Sequence, residues 1–433
     1  MKIMVLVSIL ASFAAASFAQ TATAPGGDGS VGNPYQIGTL NNLYWITQNS
    51  SSWESYFIQT ANIDATSSST WDNGQGFSPI GSDSTPFTGS YDGQDYTITG
   101  LFVHRTGTQW VGLFGFAGSF SASATIKNVR LDGVQIAGGA NNIGGLIGAS
   151  CNSFTTNCSS SGAVTGGSSV GGLIGYIYWY STVLNCYSTG SVTGSGQFVG
   201  GLIGQQYSSS FCKDCYSRDS VNGSSAAVGG LIGEQWNSYA DTNCYSAGPV
   251  NRSVAGYVQY VGGLIGEQAS AIVTNCFWDT TASGQSVSAA GAGKSTSEMK
   301  TVTTFTNAGW DFANIWSMDP DINNGYPYLT GNTPTAVVER TPGIPGTFSL
   351  SQNYPNPFNP STSIQFSVQK EDHVVLKVFD LLGRNVATLY NSIAQARKIY
   401  SVTFHGSRFS SGVYFYSIES SSRRIVRKMM LLE

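Results

Sequence analysis

From residue 106 onward the apolar positions recur in short runs of three to six residues rich in Val, Leu, Ile and Tyr, separated by Gly, Ser and Asn. Val170–Gly175, Val183–Ser188 and Ser191–Thr193 are examples, and such runs between turn residues predict short strands. A helix is excluded because no 3.6-residue apolar period runs through the units, and each Gly of a Gly-Gly pair costs about 1 kcal/mol in a helix interior.

The runs repeat. Val-Gly-Gly-Leu-Ile-Gly or a near copy occurs six times, its Leu at 113, 146, 173, 202, 231 and 264, spaced 33, 27, 29, 29 and 33. A second mark keeps the same phase: Asn128-Val129, Asn157-Cys158, Asn185-Cys186, Asp214-Cys215, Asn243-Cys244 and Asn275-Cys276. A period near 29 is short for a propeller blade of about 40 residues. It suits a β-solenoid of some three short strands per coil, in which equivalent residues stack about 4.8 Å apart and each mark becomes a ladder. Gly pairs then serve tight corners, and stacked Asn side chains bond amide to amide.

Five of the seven Cys (158, 186, 215, 244, 276) fall on one repeat position, where the first coil has Val129. An apolar replacement predicts a buried column. Rungs about 4.8 Å apart suit disulfide geometry poorly, and a column does not converge on a metal, so packed free thiols are expected. Cys151 and Cys212 stand outside the ladder, with Cys158 and Cys215 as local pairing candidates. The odd total leaves at least one thiol free.

Alternation along a strand gives the chain its principal binding candidate. If the Cys column points inward, the residues after it, Tyr187, Tyr216, Tyr245 and Phe277, point outward as an aromatic stripe offering flat faces to sugar rings. The competing reading is that these rings brace one another. Glu234 and Glu267 follow Leu-Ile-Gly where the preceding unit has Gln205, so they stand on adjacent rungs, near the spacing of a retaining glycosidase pair. Only His104, His373 and His405 exist, none within the repeats, and no His-Glu-x-x-His, P-loop or dinucleotide fingerprint occurs. Asp319-x-Asp321-x-Asn323 resembles half a calcium loop but lacks its Glu, and reads better as a closing turn.

Composition narrows the setting. The 433 residues are 10% charged, with 53 Gly and a net charge of -4, so no general basic field exists to hold nucleic acid. Residues 1–19 read as an export signal, Met1-Lys2 before an apolar stretch too short and too rich in small residues to be a membrane anchor. No later segment reaches spanning length. Residues 346–433 hold ten basic and five acidic residues. They follow a Pro/Thr-rich stretch, 330–346, that reads as an extended linker. Alternation at Ile364, Phe366, Val368 and at Val374, Leu376, Val378 predicts a small antiparallel sandwich.

The units, with Val-Gly-Gly-Leu-Ile-Gly and Asn-Cys-Tyr-Ser-Thr-Gly-Ser-Val-Thr-Gly (185–194), resemble GLUG repeats, a bacterial surface-protein module. Asn33-Pro34-Tyr35-Gln36-Ile37 and Phe87-Thr88-Gly89-Ser90-Tyr91-Asp92-Gly93 resemble the segment before such arrays. Cys276-Phe277-Trp278-Asp279 through Gly325-Tyr326-Pro327-Tyr328-Leu329 resemble their close. The last 87 residues resemble a type A C-terminal sorting domain of the type IX secretion system. The residues that carry this likeness are Tyr354, Pro355, Asn356, Pro357, Phe358, Asn359 and Pro360, then Gly383, then Gly412 and Tyr414. This resemblance implies engagement of the secretion machinery, passage across the outer membrane of a Gram-negative cell, and removal of the domain with release or attachment to surface lipopolysaccharide.

The expected protein is therefore all-β. A signal peptide (1–19) precedes a β-rich lead-in that caps the solenoid (20–105), and the repeat solenoid with its closing segment occupies 106–329. A linker (330–346) leads to an Ig-like sandwich (347–433). The expected function is binding at the cell surface, as an adhesin or carbohydrate-recognition scaffold for a glycan or matrix partner, without cofactor, metal or nucleic acid. The alternatives are a polysaccharide-acting enzyme using Glu234, Glu267 or Asp241, and a self-associating surface component.

Overall fold

The computed structural model describes residues 20–224, 226–252 and 260–332. In the C-terminal part it describes 348–350, 353, 358–359, 361–368, 370–381, 383–395, 399–406, 409–421 and 423–432. The export signal and most of the linker lie outside the described residues, as do Tyr354, Pro355, Asn356, Pro357 and Pro360.

The repeats wind into a parallel β-solenoid with four sheets, one more strand per coil than the sequence suggests. In chain order a coil contributes a Val-Gly strand to sheet III (Ser168–Gly171), an Ile-Gly strand to sheet IV (Ile174–Tyr178), a strand to sheet I (Thr182–Leu184) and one to sheet II (Tyr187–Gly194). The extra division falls at the Gly pair, which turns a corner inside what reads as one strand. A Cβ on Gly172 would stand 2.4 Å from the Gly201 carbonyl oxygen, and one on Gly201 would stand 2.2 Å from that of Gly230, so only Gly lets successive corners nest.

Registers are maintained from coil to coil. Ile147, Ile174, Ile203, Ile232 and Ile265 face one another along sheet IV, as Val170, Val199, Val228 and Val261 do along sheet III. With the Leu column and the inward residues of sheets I and II they form one continuous buried core. Between sheets I and II the chain passes a residue with φ of +51 to +56°: Asn128, Asn157, Asn185, Asp214, Asn243 and Asn275. This is the left-handed region that Asn and Asp tolerate best among non-Gly residues. The side chains also form a ladder: Asn185 Nδ2 donates to Asn157 Oδ1 (3.1 Å), and Asn157 Nδ2 to Asn128 Oδ1 (3.1 Å). Asn128 Nδ2 ends this run on Asp92 Oδ1 at 2.8 Å.

The next residue supplies the inward thiol, and its chemistry explains why Cys recurs. Cys186 Sγ lies 3.1 Å from the Leu184 carbonyl oxygen, closing the Asn turn, and accepts the Cys158 backbone N–H at 3.3 Å. The same pattern joins Cys215 to Lys213 O and to the Cys186 N–H (3.1 and 3.4 Å). Each thiol is a weak donor within its own coil and a weak acceptor from the coil before, while packing as a small hydrophobe. All seven cysteines are free and buried, so neither Cys151 with Cys158 nor Cys212 with Cys215 forms a disulfide; Cys212 Sγ lies 3.7 Å from Cys244 Sγ.

Toward the N terminus sheets I and II continue into Tyr35–Ile37, Tyr56–Gln59, Ser90–Asp92, Ile63–Asp64 and Thr97–Thr99. Over this end lies the helix Leu40–Gln48. Thr39 caps it by accepting the Asn42 N–H (3.2 Å), and Leu43 and Ile46, three apart, bury one face against the core.

The C-terminal unit, Val337–Glu433, is a separate compact body. A three-stranded antiparallel sheet (Ser349–Leu350, Ser361–Ser367, Ile399–His405) and a four-stranded one (Asp372–Phe379, Asn385–Ala394, Gly412–Glu419, Arg424–Leu431) share a buried core. Ile364, Phe366, Val368, Val374, Leu376 and Val378 are all in that core. Phe358 is buried and Asn359 exposed. Gly383 takes φ +76° in the turn that Asp380 closes on Arg384 (Oδ2 to Nε, 2.7 Å). Tyr414 donates to the Ser410 carbonyl at 2.8 Å, just before the strand that Gly412 opens.

Iodoacetamide added to the native protein is expected to modify none of the seven thiols within the time that alkylates all seven in guanidinium chloride, with intact mass as the readout.

Candidate functional site

The aromatic column after the Cys ladder points away from the coil, as alternation requires, but does not reach solvent. Tyr187, Tyr216 and Tyr245 stack with ring centroids 4.8 and 5.0 Å apart and planes within 3° and 7°. With Phe277 they are buried beneath the closing segment, which lays Met299, Phe305, Trp310, Trp316, Tyr326 and Leu329 over them. The expectation of a ligand stripe is thus corrected. Aromatic side chains bury roughly 150–250 Å² each, so covering four of them is strongly favoured over leaving them wet.

Polar contacts fix the cover. Trp316 Nε1 donates to Asp214 Oδ1 (3.1 Å), Trp310 Nε1 to Asn275 O (2.9 Å), and Tyr245 OH to Pro327 O (2.6 Å). Asn323 Nδ2 donates to Tyr245 OH at 2.8 Å, so the last residue of the calcium-like run faces the ladder, while Asp319 Oδ1 accepts the Asp321 N–H in a local turn. Arg218 and Lys300 both stand over the Tyr326 ring, 5.1 and 4.9 Å from its centroid. A hollow of about 600 Å³ in this segment is walled by Lys300, Val302, Phe312 and Met318.

The accessible aromatic surface lies elsewhere, on the outer face of sheet IV and the turn that follows it. Two outward columns run along the axis. One reads Phe116, Ala149, Tyr176, Gln205, Glu234, Glu267 from coil to coil. The other, two residues further along each strand, pairs Cys151 with Tyr178 and Tyr207 with Trp236. Residues between the columns, such as Ile177, Gln206 and Gln235, point inward and are buried.

Tyr176 and Tyr178 lie parallel at 4.9 Å. Phe120 meets Tyr178 at 6.0 Å and Trp179 at 5.2 Å; Trp179 meets Tyr180 at 5.6 Å, and Tyr180 meets Tyr239 at 6.3 Å. Trp110 and Phe116 extend the cluster to the first coil. Phe120, Tyr180, Tyr239 and Trp236 are 65%, 50%, 51% and 42% exposed. Trp179 and Tyr180 both adopt positive φ (+50° and +60°), which bulky residues rarely do, and the Trp179 carbonyl is held by the Asn152 N–H at 2.8 Å. Beside them a cavity of about 320 Å³ is lined by Trp110, Phe116, Phe120, Tyr176 and Tyr178, with Asn142 and Asp83 as polar walls.

A hydrogen-bonded chain crosses the same face. Ser169 Oγ donates to Gln205 Oε1 (3.0 Å) and Gln205 Nε2 to Glu234 Oε2 (2.6 Å). Glu234 faces Glu267 one rung on, as the sequence suggests. Burial raises the Glu234 carboxyl above its ordinary value; the Gln205 hydrogen bond opposes this and the Glu267 charge adds to it. Asp241 is a different case. It lies inside the coil, accepting from Cys212 N–H (2.7 Å), Gln206 Nε2 (3.0 Å) and Gln235 Nε2 (2.8 Å), out of reach of any external substrate. A catalytic role for it is set aside by that burial, which pushes its carboxyl to about 7. His104 sits exposed in the strand Phe102–Arg105, its ring 6.2 Å from that of Phe102.

Taken together, the fold is a capped parallel β-solenoid with an aromatic outer face, followed by an antiparallel sandwich. Residues 166–193 match the family described as the GLUG motif, and residues 352–432 match the secretion system C-terminal sorting domain. The chain thus carries a GLUG motif within its solenoid and a type IX sorting domain at its C-terminal end, and that domain indicates export through the type IX machinery to the cell surface or extracellular space. The chain is similar to halomucin of Haloquadratum walsbyi, 38% identical over 154 residues, covering 34% of this chain and 2% of halomucin. It is also similar to a putative Gly-rich membrane protein of Evansella cellulosilytica, 31% identical over 149 residues, covering 34% of this chain and 17% of that protein. The chain thus spans a small part of either relative. A crystal structure of a putative immunoglobulin A1 protease from Bacteroides ovatus shares the fold, with a TM-score of 0.51 at 20% identity, covering 70% of this chain and 94% of that one. Among the described residues no helix is long and apolar enough to cross a membrane.

Two outcomes follow from the burial described. Tyr216→Ala or Tyr245→Ala should lower unfolding free energy by about 3–5 kcal/mol in urea titration, as for other buried aromatic truncations. The folded Asp241 carboxyl, raised to about 7 from an ordinary 3.8, holds a proton that the unfolded chain releases. Its contribution to stability is full below 3.8 and is lost as pH rises through about 7. Asp241→Asn should therefore raise the melting temperature at pH 8 and flatten its decline between pH 5 and 8.

Proposed function

We propose that this protein acts by binding, as a surface-delivered adhesin that recognises carbohydrate through the outer face of sheet IV. The observation that carries the reading is the exposed ring cluster around Tyr176, Tyr178, Trp179 and Tyr180, continuous with the Ser169–Gln205–Glu234 hydrogen-bond chain. Sugar rings present flat C–H faces edged by hydroxyls. Aromatic side chains cover the faces at low entropic cost, and amide and carboxylate groups take the hydroxyls. Because each contributing strand is pinned by its neighbours, the rings are ordered before a ligand arrives, which limits the cost of binding.

Binding is favoured over glycan cleavage by the placement of the two carboxylates. A glycosidase pair must flank the scissile bond. Glu234 and Glu267 stand side by side on one face of a parallel sheet and approach any ligand from the same side. Peptide cleavage, the activity for which the Bacteroides ovatus protein is named, would call for a nucleophile with a base in reach. The sheet IV face offers rings, amides and carboxylates. In this proposal the sorting domain is lost after export, and attachment to surface lipopolysaccharide keeps the solenoid at the cell.

The test is a glycan and matrix-protein screen with the full chain, alongside Tyr178→Ala/Trp236→Ala. Both positions are on the outer face, so the variant should melt close to the parent while retention of bound glycan falls by about tenfold or more. Equal retention by the two proteins would remove the sheet IV face from recognition.

A further inference from the structure

The polar part of the sheet IV face has a charge character that its aromatic part lacks. Along one column the outward residues change from Phe116 and Tyr176 through Gln205 to Glu234 and Glu267. Glu234 is only 8% exposed and accepts one hydrogen bond, from Gln205. Among the described residues neither it nor Glu267 forms an ion pair, although Asp72, Asp92 and Asp95 elsewhere in the solenoid each have a Lys or Arg partner. A nearly buried carboxylate without a counter-charge is costly, and the cost is recovered when a cation reaches it. Beside the pair stand Tyr207 and Trp236, one residue column away, whose ring faces attract an ammonium group as well as a sugar face. Residues 20–332 hold eighteen acidic and eight basic side chains, so the surrounding field also draws cations and repels uronates or sulfated sugars.

We infer that the face takes glycans bearing free amino groups, with sugar rings on Tyr176 and Tyr178 and an ammonium between Glu234 and Glu267, flanked by Tyr207 and Trp236. This rests on the carbohydrate-binding reading above and specifies its ligand class. The orientation follows from the column: the aromatic end lies toward the N-terminal coils and the acidic end toward the C-terminal coils, so a linear chain lies along the solenoid axis.

The experiment compares two probes of one length, a β-1,4-linked glucosamine hexamer and its fully N-acetylated counterpart, by calorimetry with the full chain at pH 6.5. They are run against the parent, Glu234→Gln/Glu267→Gln and Trp236→Ala. Gln already occupies the equivalent position one coil earlier, at Gln205, so the double Gln variant is expected to fold, checked by its melting temperature. The expected result is a preference of about tenfold for the free-amine hexamer, weakened by added salt and abolished in the Gln variant, while Trp236→Ala weakens both probes. Equal or better binding of the acetylated hexamer to the parent would overturn the amine assignment and leave carbohydrate binding standing. So would a preference that survives in the Gln variant. Binding of a lysine-rich peptide, with no binding of either hexamer or of any screened glycan, would overturn both readings.

Discussion

Vertical register at the Asn turn is the constraint on which the rest of the molecule depends. At each coil the chain must pass through a left-handed conformation and place a thiol or Val inward, in the last four coils with a ring outward next to it, and do so directly above its predecessor. Asn meets the backbone requirement, and its amide, both donor and acceptor, bonds to the coil before it. The Cys that follows adds a second tie, from the backbone N–H of one coil to the sulfur of the next. A slip of one residue would turn every inward side chain outward. Two polar ladders beside the apolar columns therefore specify a register that hydrophobic burial alone would enforce less sharply.

The exception at Asp214 shows how the ladder is put to further use. Lacking an amide donor, Asp214 ends the side-chain run that reaches it from Asn243 and spends the same acceptor oxygen on Trp316. The closing segment is thus anchored on the repeat position that departs from the Asn pattern. The rings it covers lie one residue beyond the Cys column, so one short stretch of sequence sets the core, the turn and the docking platform together.

Much of this architecture is legible in the sequence, because a solenoid writes its contacts as a period. The phase shared by Leu173 and Asn185 with their counterparts predicts the stacking, and Val129 in place of Cys predicts the inward column. Alternation at Ile364, Phe366 and Val374 predicts the sandwich core. What escapes is contact between segments of unlike sequence. Tyr216 and Tyr245 read as a stripe because nothing in the repeat says that Trp310 and Trp316, about 70 to 100 residues later, fold back over them. The sheet IV face had a signal of its own. Leu-Ile-Gly-Tyr-Ile-Tyr, Leu-Ile-Gly-Gln-Gln-Tyr and Leu-Ile-Gly-Glu-Gln-Trp put Tyr178, Tyr207 and Trp236 in one column, on a different strand of the coil from the residues after Cys.

The two aromatic surfaces then differ in what covers the same kind of side chain. Both come from outward positions of strands in one solenoid. One is capped by the chain's own Met, Phe and Trp residues and bonded to them through Asp214, Asn275 and Tyr245, which makes it part of the core. The other leaves Phe120, Tyr180 and Trp236 in contact with water, next to a carboxylate that the fold partly desolvates and that has no cationic partner among the described residues. Folding gains less from that arrangement than from the covered stack, since rings left about half exposed bury only part of their area and a partly desolvated carboxylate without a counter-charge works against the native state. Folding alone therefore gives no account of why these features sit together on a sheet whose registers hold from coil to coil. In a protein addressed to the cell exterior, a ligand with flat apolar faces and cationic substituents would turn both unfavourable features into binding energy.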